Sequence, residues 1–248
     1  MKILITGAAS RLGQAIAAEL APEHALRLID EDPVVADAEV EGVQGSLLEP
    51  EIAWQAVRGV DAIIHTGEPP AGLAAGSEQA LLERATRGTH VLLSAAIEAG
   101  VGRVVYGSTL AVFAAYPDDV YISERWEPQP RADMAPLSRY LGELTCREMT
   151  REHHIGITAL RLGEVVVEEE VQDAAPNLLW LDVRDAARAF GCALRRDTGR
   201  AARWSQRWEV YHIAAAMPNA KYLINHARGM GWEPQHNFAA HWPAGASA

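Results

Sequence analysis

The first thirteen residues, MKILITGAASRLG, restrict what this chain can fold into more than any other stretch. Ile3, Leu4 and Ile5 form an unbroken apolar run rich in β-branched residues, so Lys2 to Thr6 is expected as a short buried strand. Gly7 then breaks it. From Leu12 the spacing becomes helical, with Leu12, Ile16, Ala17 and Leu20 on one face. Strand, glycine turn and helix N-terminus together make a phosphate site. The free N–H groups of the first helical turn, and the positive end of the helix dipole, point at whatever sits on the turn. Gly7 permits the turn, and Gly13 lets the helix lie close to the strand. A strand–helix turn that binds nothing is the competing interpretation.

The rest of the chain repeats the alternation. Residues 25–29 read as a second strand ending at Asp30, which lies 23 residues after Gly7. A carboxylate there can accept both hydroxyls of an adenine ribose and would repel a 2′-phosphate. Glu31 and Asp32 follow, so a solvated acidic loop is the alternative, and Arg11 in the phosphate turn leaves a phosphorylated cofactor open. Residues 43–45 are expected as a third strand, 50–58 as a helix and 60–65 as a fourth strand ending at His65. The loop Thr66-Gly67-Glu68-Pro69-Pro70 follows, and its glycine could pass beneath a cofactor. Ser77 is placed to cap a long helix over 77–99, with Leu81, Leu82, Ala85, Thr89, Leu92, Leu93 and Ala96 as its apolar face.

Residues 103–106 are a fifth strand, with Ser108-Thr109 at its carboxyl end, where open α/β sheets place ligands. A loop rich in Pro and Asp runs to about residue 132. A helix over 136–153 and a sixth strand over 157–160 follow. Beyond Gly163 the periodicity weakens, and five of the seven tryptophans lie there. That part is expected to hold a helix near 183–194, a strand near 209–213 and a helix near 220–229. The expected fold is α/β: a Rossmann-type doubly wound parallel sheet of at least six strands over residues 1–164. Residues 165–248 form a mixed segment that completes the sheet and makes a small C-terminal substrate lobe.

The net charge of −11 argues against nucleic acid or an anionic membrane as the main partner. The two cysteines, Cys146 and Cys192, both fall in expected helices, which points to a reducing cytoplasm rather than a disulfide framework. No apolar run is long enough to span a membrane, and a strand beginning at the second residue leaves no room for a leader. No metal site is expected.

Six segments together resemble the extended short-chain dehydrogenase/reductase family, the NAD-dependent epimerase/dehydratase group. They are ILITGAASRLG, GVDAIIH, GTHVLLSAAIEAGVGRVVYGST, PLSRYLGE, ALRLGEVV and WLDVRDAARAF. The short length and tryptophan-rich end are also similar to its uronate dehydrogenase branch. The resemblance implies a dinucleotide cofactor, NAD rather than NADP, and a sugar-like small molecule as further ligand. It implies a homodimer paired through the helices at 77–99 and 136–153, with Arg87, Arg151 and Glu148 at the rim. Around the cofactor it places Gly7, Ser10, Arg11, Leu12, Gly13, Asp30, Ser46, Leu47, His65, Thr66, Gly67, Arg139, Leu162, Gly163 and Val165. Two on the phosphate and adenine side depart from the family pattern: Ser10 stands at the middle glycine of T-G-x-x-G-x-x-G, and Ser46 replaces the acid that reaches the adenine amine.

The family's chemistry uses a tyrosine, a lysine four residues on, a serine or threonine, and an asparagine in the long helix. The hydroxyl position matches Thr109, with Ser108 beside it. The tyrosine position falls on Ala135, the lysine on Arg139 and the asparagine on Ala85. Alanine cannot transfer a proton, and arginine tunes a neighbouring pKa poorly while still able to bond a ribose. Two functions follow. One is a dinucleotide-binding protein without the usual acid–base machinery: a sensor, a scaffold or an atypical enzyme. The other is an active oxidoreductase or epimerase on a sugar, uronate or nucleotide sugar, drawing its proton from Thr109, from Tyr116, Tyr121 or Tyr140, or from the substrate. A cleft that holds no dinucleotide is the third possibility.

Overall fold

The central strand β1 (Lys2–Thr6) is buried on both sides because a helical layer covers each face of the sheet it belongs to. The computed structural model describes residues 1–34, 40–67, 77–217 and 220–241. Around β1 lie β2 (Ala25–Asp30), β3 (Glu41–Gln44), β4 (Ala62–His65), β5 (Arg103–Thr109) and β6 (Gly156–Leu162). Two short strands, β7 (Glu164–Val166) and β8 (Trp180–Asp182), pair only with each other, and β9 (Trp208–Ile213) returns to the main sheet. Its order is β3-β2-β1-β4-β5-β6-β9, and every neighbouring pair is parallel. The chain reverses direction of travel between β1 and β4, which opens a crevice at their carboxyl ends.

Alternate residues of each strand feed two separate cores. Ile3, Ile5, Ile64, Val105, Leu160 and Ile213 face α1 (Arg11–Leu20) and a later helix, Val183–Leu194. Leu4, Ile63, Val104, Ile157 and Ala159 face α2 (Pro50–Val57) and the helices of the other layer. The period-two side-chain geometry of a strand makes this division automatic.

The long helix expected over 77–99 is divided. α3 (Glu78–Glu83) leads into a π-helical turn, Arg84–Gly88, and then into α4 (Thr89–Glu98). The wider turn breaks the register of the apolar stripe. As a result α3 buries none of its residues, whereas α4 buries Thr89, Leu92, Leu93, Ala95 and Ala96. α5 spans Met134–Glu152, starting earlier than its apolar spacing indicates because Asp133 caps it through the Ala135 N–H at 3.1 Å. α6 is Val183–Leu194 and packs on α1.

Other expectations change with tertiary pairing. β5 and β6 run longer than their apolar cores, since Gly107, Ser108 and Thr109 pair with Leu160, Arg161 and Leu162. The helix expected near 220–229 covers only Asn225–Gly229, because the backbone on either side of Tyr222 bonds Ile122: Ile122 N–H donates to Lys221 O (2.7 Å) and Leu223 N–H to Ile122 O (2.9 Å). Glu68, Pro69 and Pro70 of the expected loop lie outside the described residues.

Polar groups tie the layers together. His65 ends β4 with Nδ1 2.7 Å from Thr6 Oγ1 and Nε2 3.0 Å from Thr89 Oγ1, joining β1, β4 and α4. Glu143 of α5 receives Arg161 of β6 in a two-pronged pair (Nε–Oε2 3.0 Å, Nη2–Oε1 2.5 Å), and both side chains are 5% exposed.

Breaking a buried ion pair from one side leaves an uncompensated charge and costs about 3–5 kcal/mol. Glu143→Ala is therefore expected to lower unfolding free energy by that order, whereas Glu148→Ala, which removes an exposed partner of Arg147 and Arg151, should cost under about 1 kcal/mol. Urea titration of both variants checks the contrast. Stability should also fall with acid. Burial, with Arg139 nearby, pushes His65 down to about 3, and burial, with Arg161 nearby, does the same to His212. Unfolded histidines take up protons below about pH 6.5. The folded rings stay neutral there, so protons favour the unfolded chain. The stabilisation is complete above about pH 7 and drops by about 2 kcal/mol per ring on going to pH 5. Unfolding at both pH values should show this dependence, and His212→Asn should reduce it by about half.

Candidate cofactor site

The turn after β1 is built as an anion cradle. Gly7 has φ 63°, a left-handed conformation that suits glycine. A Cβ on Gly13 would collide with the Gly7 carbonyl, so α1 can approach the strand end only because that position is bare. Ser10 is the N-cap of α1, with φ −68° and ψ 157°. Its hydroxyl accepts the Gly13 N–H (3.0 Å) and donates to Gly7 O (2.7 Å). The conformation of Ser10 needs no glycine, and its side chain is spent on the cap. Arg11 and Leu12 follow in the first turn, where backbone N–H groups have no intrahelical acceptor. The Arg11 side chain turns outward to Glu170 (2.6 Å), while Leu12 is buried in the core.

Beside this turn lies a cleft, open to solvent, at the carboxyl ends of β1, β2, β3 and β4. Of the residues singled out from sequence, Gly7, Asp30, Ser46, Leu47, His65, Gly67, Ala135 and Arg139 line it. Thr66 is buried behind it and donates to Thr6 O at 2.9 Å. Ser10, Arg11, Leu12 and Gly13 belong to the adjoining turn. Ser108, Thr109, Leu162, Gly163 and Val165 are not part of its lining. The lining also takes in Glu31, Leu81, Arg84, Gly88 and Ser138, none of which the sequence marked for this role. No local signal could have found Arg84, since its partner Glu31 is 53 residues away.

At one end of the cleft, the Asp30 carboxylate accepts the Ala9 N–H (2.9 Å) and the Asp32 N–H (3.1 Å), which fixes it at the tip of β2. The neighbouring Glu31 pairs with Arg84 (2.6 Å) and accepts the Ser46 hydroxyl (2.7 Å). The Arg84 hydrogen bond holds the Glu31 carboxyl below its ordinary pKa, burial opposing it. At the other end, Arg139 reaches across Gly67 and donates to Thr66 O (2.8 Å) and Gly107 O (3.3 Å). Ala135 sits one helical turn earlier and is exposed.

None of the six tyrosines lines this cleft. Tyr106 is buried, donates to the Arg139 carbonyl (3.2 Å), and has its phenol pushed far above the ordinary range by burial. Tyr116 donates to Glu127 O (3.0 Å), Tyr121 is exposed, and Tyr140 packs against the core. The chain's two lysines are also elsewhere: Lys2 begins β1 at the far edge of the sheet, and Lys221 holds Tyr116 O and Asp118. Thr109 Oγ1 caps the turn Leu110–Phe113 by accepting the Ala111 N–H (3.1 Å), and the Ser108 hydroxyl donates to Glu143 (2.9 Å). Among the described residues no group of three or more His, Cys, Asp and Glu side chains could hold a metal ion.

The model of the NAD-dependent epimerase/dehydratase family matches residues 3–179. An NAD-dependent glucose-6-phosphate dehydrogenase of Haloferax volcanii is 23% identical over 96% of this chain and 94% of its own length. Among solved structures, a tyrosine-to-alanine mutant of uronate dehydrogenase from Agrobacterium tumefaciens, complexed with NAD, superposes with a TM-score of 0.80 at 24% identity, covering 96% of this chain and 86% of that one. MoeE5 in complex with UDP-glucose and NAD gives 0.77 at 16% identity, covering 97% of each chain. These structures share the fold. The family match runs from β1 to the residue before β8, so it takes in the turn, the crevice and the helices that wall it, and the chain belongs to the NAD-dependent epimerase/dehydratase family.

Proposed function

We propose that this protein binds NAD in the crevice between β1 and β4 and has little or no conventional alcohol–ketone dehydrogenase activity, serving as a sensor, a scaffold or an atypical enzyme. One observation carries the reading: where α5 enters the cleft it presents Ala135 and Arg139, and no tyrosine or lysine lines the wall. The diphosphate would rest on the turn from Gly7 to Gly13, and the adenine ribose on Asp30. Ser46 and Leu47 would border the adenine, and Arg139 the nicotinamide ribose. Bound NAD supplies hydride-accepting chemistry. What the chain adds is position, charge and a guanidinium anchored on two backbone carbonyls. An arginine in that state stays charged and is a poor source or sink for a proton. NAD is preferred over NADP in this reading because Asp30 faces the 2′ position. The uronate dehydrogenase neighbour carries a tyrosine-to-alanine change and is complexed with NAD, which supports reading this cleft as one that takes NAD without a tyrosine in its wall.

The second reading is an active oxidoreductase or epimerase on a sugar, a uronate or a nucleotide sugar. The relatives named as glucose-6-phosphate and uronate dehydrogenases favour it. Thr109 or a loop tyrosine would then move the proton. Free Cys146 and Cys192 support a cytoplasmic location, and no described helix is long and apolar enough to cross a membrane.

Two measurements test this. Titration with NAD⁺, NADH and NADP⁺, followed by turnover assays on sugars and uronates, should give NAD binding with turnover well below about 1 s⁻¹, the low end of the ordinary enzyme range. The double change Ala135→Tyr with Arg139→Lys should raise turnover by about a hundredfold or more, since positioned acid–base groups contribute that much. Turnover of about 1 s⁻¹ in the unmodified protein would establish the second reading instead. The protein is also proposed to be a homodimer through α3, the π-helical turn, α4 and α5, whose exposed charges include Arg87, Arg151 and Glu148. Light scattering at micromolar concentration should give twice the 26.9 kDa chain mass, and a monomer mass rules the pairing out.

A further inference from the structure

We propose that Glu31, by clasping Arg84, acts with Asp30 to keep a 2′-phosphorylated dinucleotide out of this crevice; the inference rests on the dinucleotide binding proposed above and adds the side chains that read the ribose. Two cationic side chains line the cleft among the described residues, Arg84 and Arg139. Arg139 is committed to the ends of β4 and β5 through the Thr66 and Gly107 carbonyls. Arg84 stands at the opposite end, on the π-helical turn, facing the tips of β2 and β3. It is therefore the cation available at the end where Asp30 marks the ribose.

That cation is engaged. Glu31 takes it fork to fork, with Nη2–Oε2 at 2.6 Å and Nε–Oε1 at 3.2 Å, while the Ser46 hydroxyl holds Oε1 from the other side at 2.7 Å. Two-pronged carboxylate–guanidinium pairing is the same geometry an arginine would offer a phosphate. A 2′-phosphate is normally accommodated by an arginine near the end of the second strand. Here it would meet an arginine already satisfied, with the Asp30 carboxylate beside it. The three side chains together carry one net negative charge, so a phosphate dianion is repelled. With Glu31 neutral they would carry none, and the Arg84 fork would be open. Arg84 and Glu31 are 28% and 32% exposed, so a ligand entering the cleft can reach both. An ion pair about a third exposed stabilises a fold little. Its consequence here is the charge it presents to the cleft.

The test compares NAD⁺ and NADP⁺ binding by calorimetry at low salt for the unmodified protein, Glu31→Ala, the isosteric Glu31→Gln, and Glu31→Ala with Arg84→Ala. Freeing one arginine for a charge-assisted phosphate contact should tighten NADP⁺ binding at least about tenfold in both single variants. The ratio of NADP⁺ to NAD⁺ affinity should rise by a similar factor, and a thermal unfolding midpoint close to that of the unmodified protein reports an intact fold in each variant. The gain should vanish in the double variant. Unchanged NADP⁺ affinity in both single variants overturns the inference, as does a gain that survives loss of Arg84, or an unmodified protein that binds NADP⁺ as well as NAD⁺. An unmodified protein that binds neither dinucleotide removes the underlying reading and this inference with it. One that binds NAD⁺ while the single variants gain nothing removes this inference alone.

Discussion

Everything at the carboxyl edge of the sheet depends on how closely α1 can approach the end of β1. The helix start lies against the Gly7 carbonyl with no room for a side chain at Gly13, and Ser10 closes the turn by bonding both glycines. That contact sets the axis of α1, which in turn sets the surface on which α6 packs over the same face. It also aims the first helical turn, with its free N–H groups and partial positive charge, into the crevice where the chain's direction of travel reverses. A serine at the middle position of the turn is compatible with all this because its hydroxyl serves the cap.

The other wall of the crevice is set by charge. α5 is anchored in the interior by Glu143 on Arg161, with Ser108 as a third partner. From that anchor, Arg139 lies one turn back and reaches the Thr66 and Gly107 carbonyls, and Ala135 falls at the mouth. α5 thus walls the cleft with a guanidinium held on two backbone carbonyls and with an alanine at the mouth. His65 sits beneath, neutral and held at both nitrogens by hydroxyls, so it is a strut between strands and helix. The shape of the cleft and the chemistry of its mouth are thus set by different residues.

The helical wall shows how a local irregularity builds a site. The π-helical turn carries Arg84, Ala85 and Gly88 to the cleft, and Thr89, the next residue, reaches His65. A regular helix over the same residues would keep one continuous apolar stripe against the sheet. The wider turn lets α3 leave that stripe and lean over the cleft, with Leu81 on its lining and Leu92 and Leu93 in the core.

Local pattern was enough for the parts of this protein whose causes are local. The apolar run of β1, the glycine turn, the spacing of α1 and of α6, and the acid at the tip of β2 were legible, because burial on both faces, helical periodicity and glycine sterics act within a few residues. Gly7 and Asp30 could be singled out on that basis, Ser46, His65 and Arg139 only through the family resemblance, and all five line one cleft. The pairing of β7 with β8, the extension of β5 to Thr109, the bridge from Ile122 to Tyr222, the division of the long helix and the clasp of Glu31 by Arg84 were decided by the tertiary structure. Each joins segments far apart in the chain: a backbone ladder needs a partner strand, and a carboxylate is a loop charge or a clasp depending on which cation the fold sets beside it. That choice is made by packing, whose range is spatial, and no window of sequence contains it.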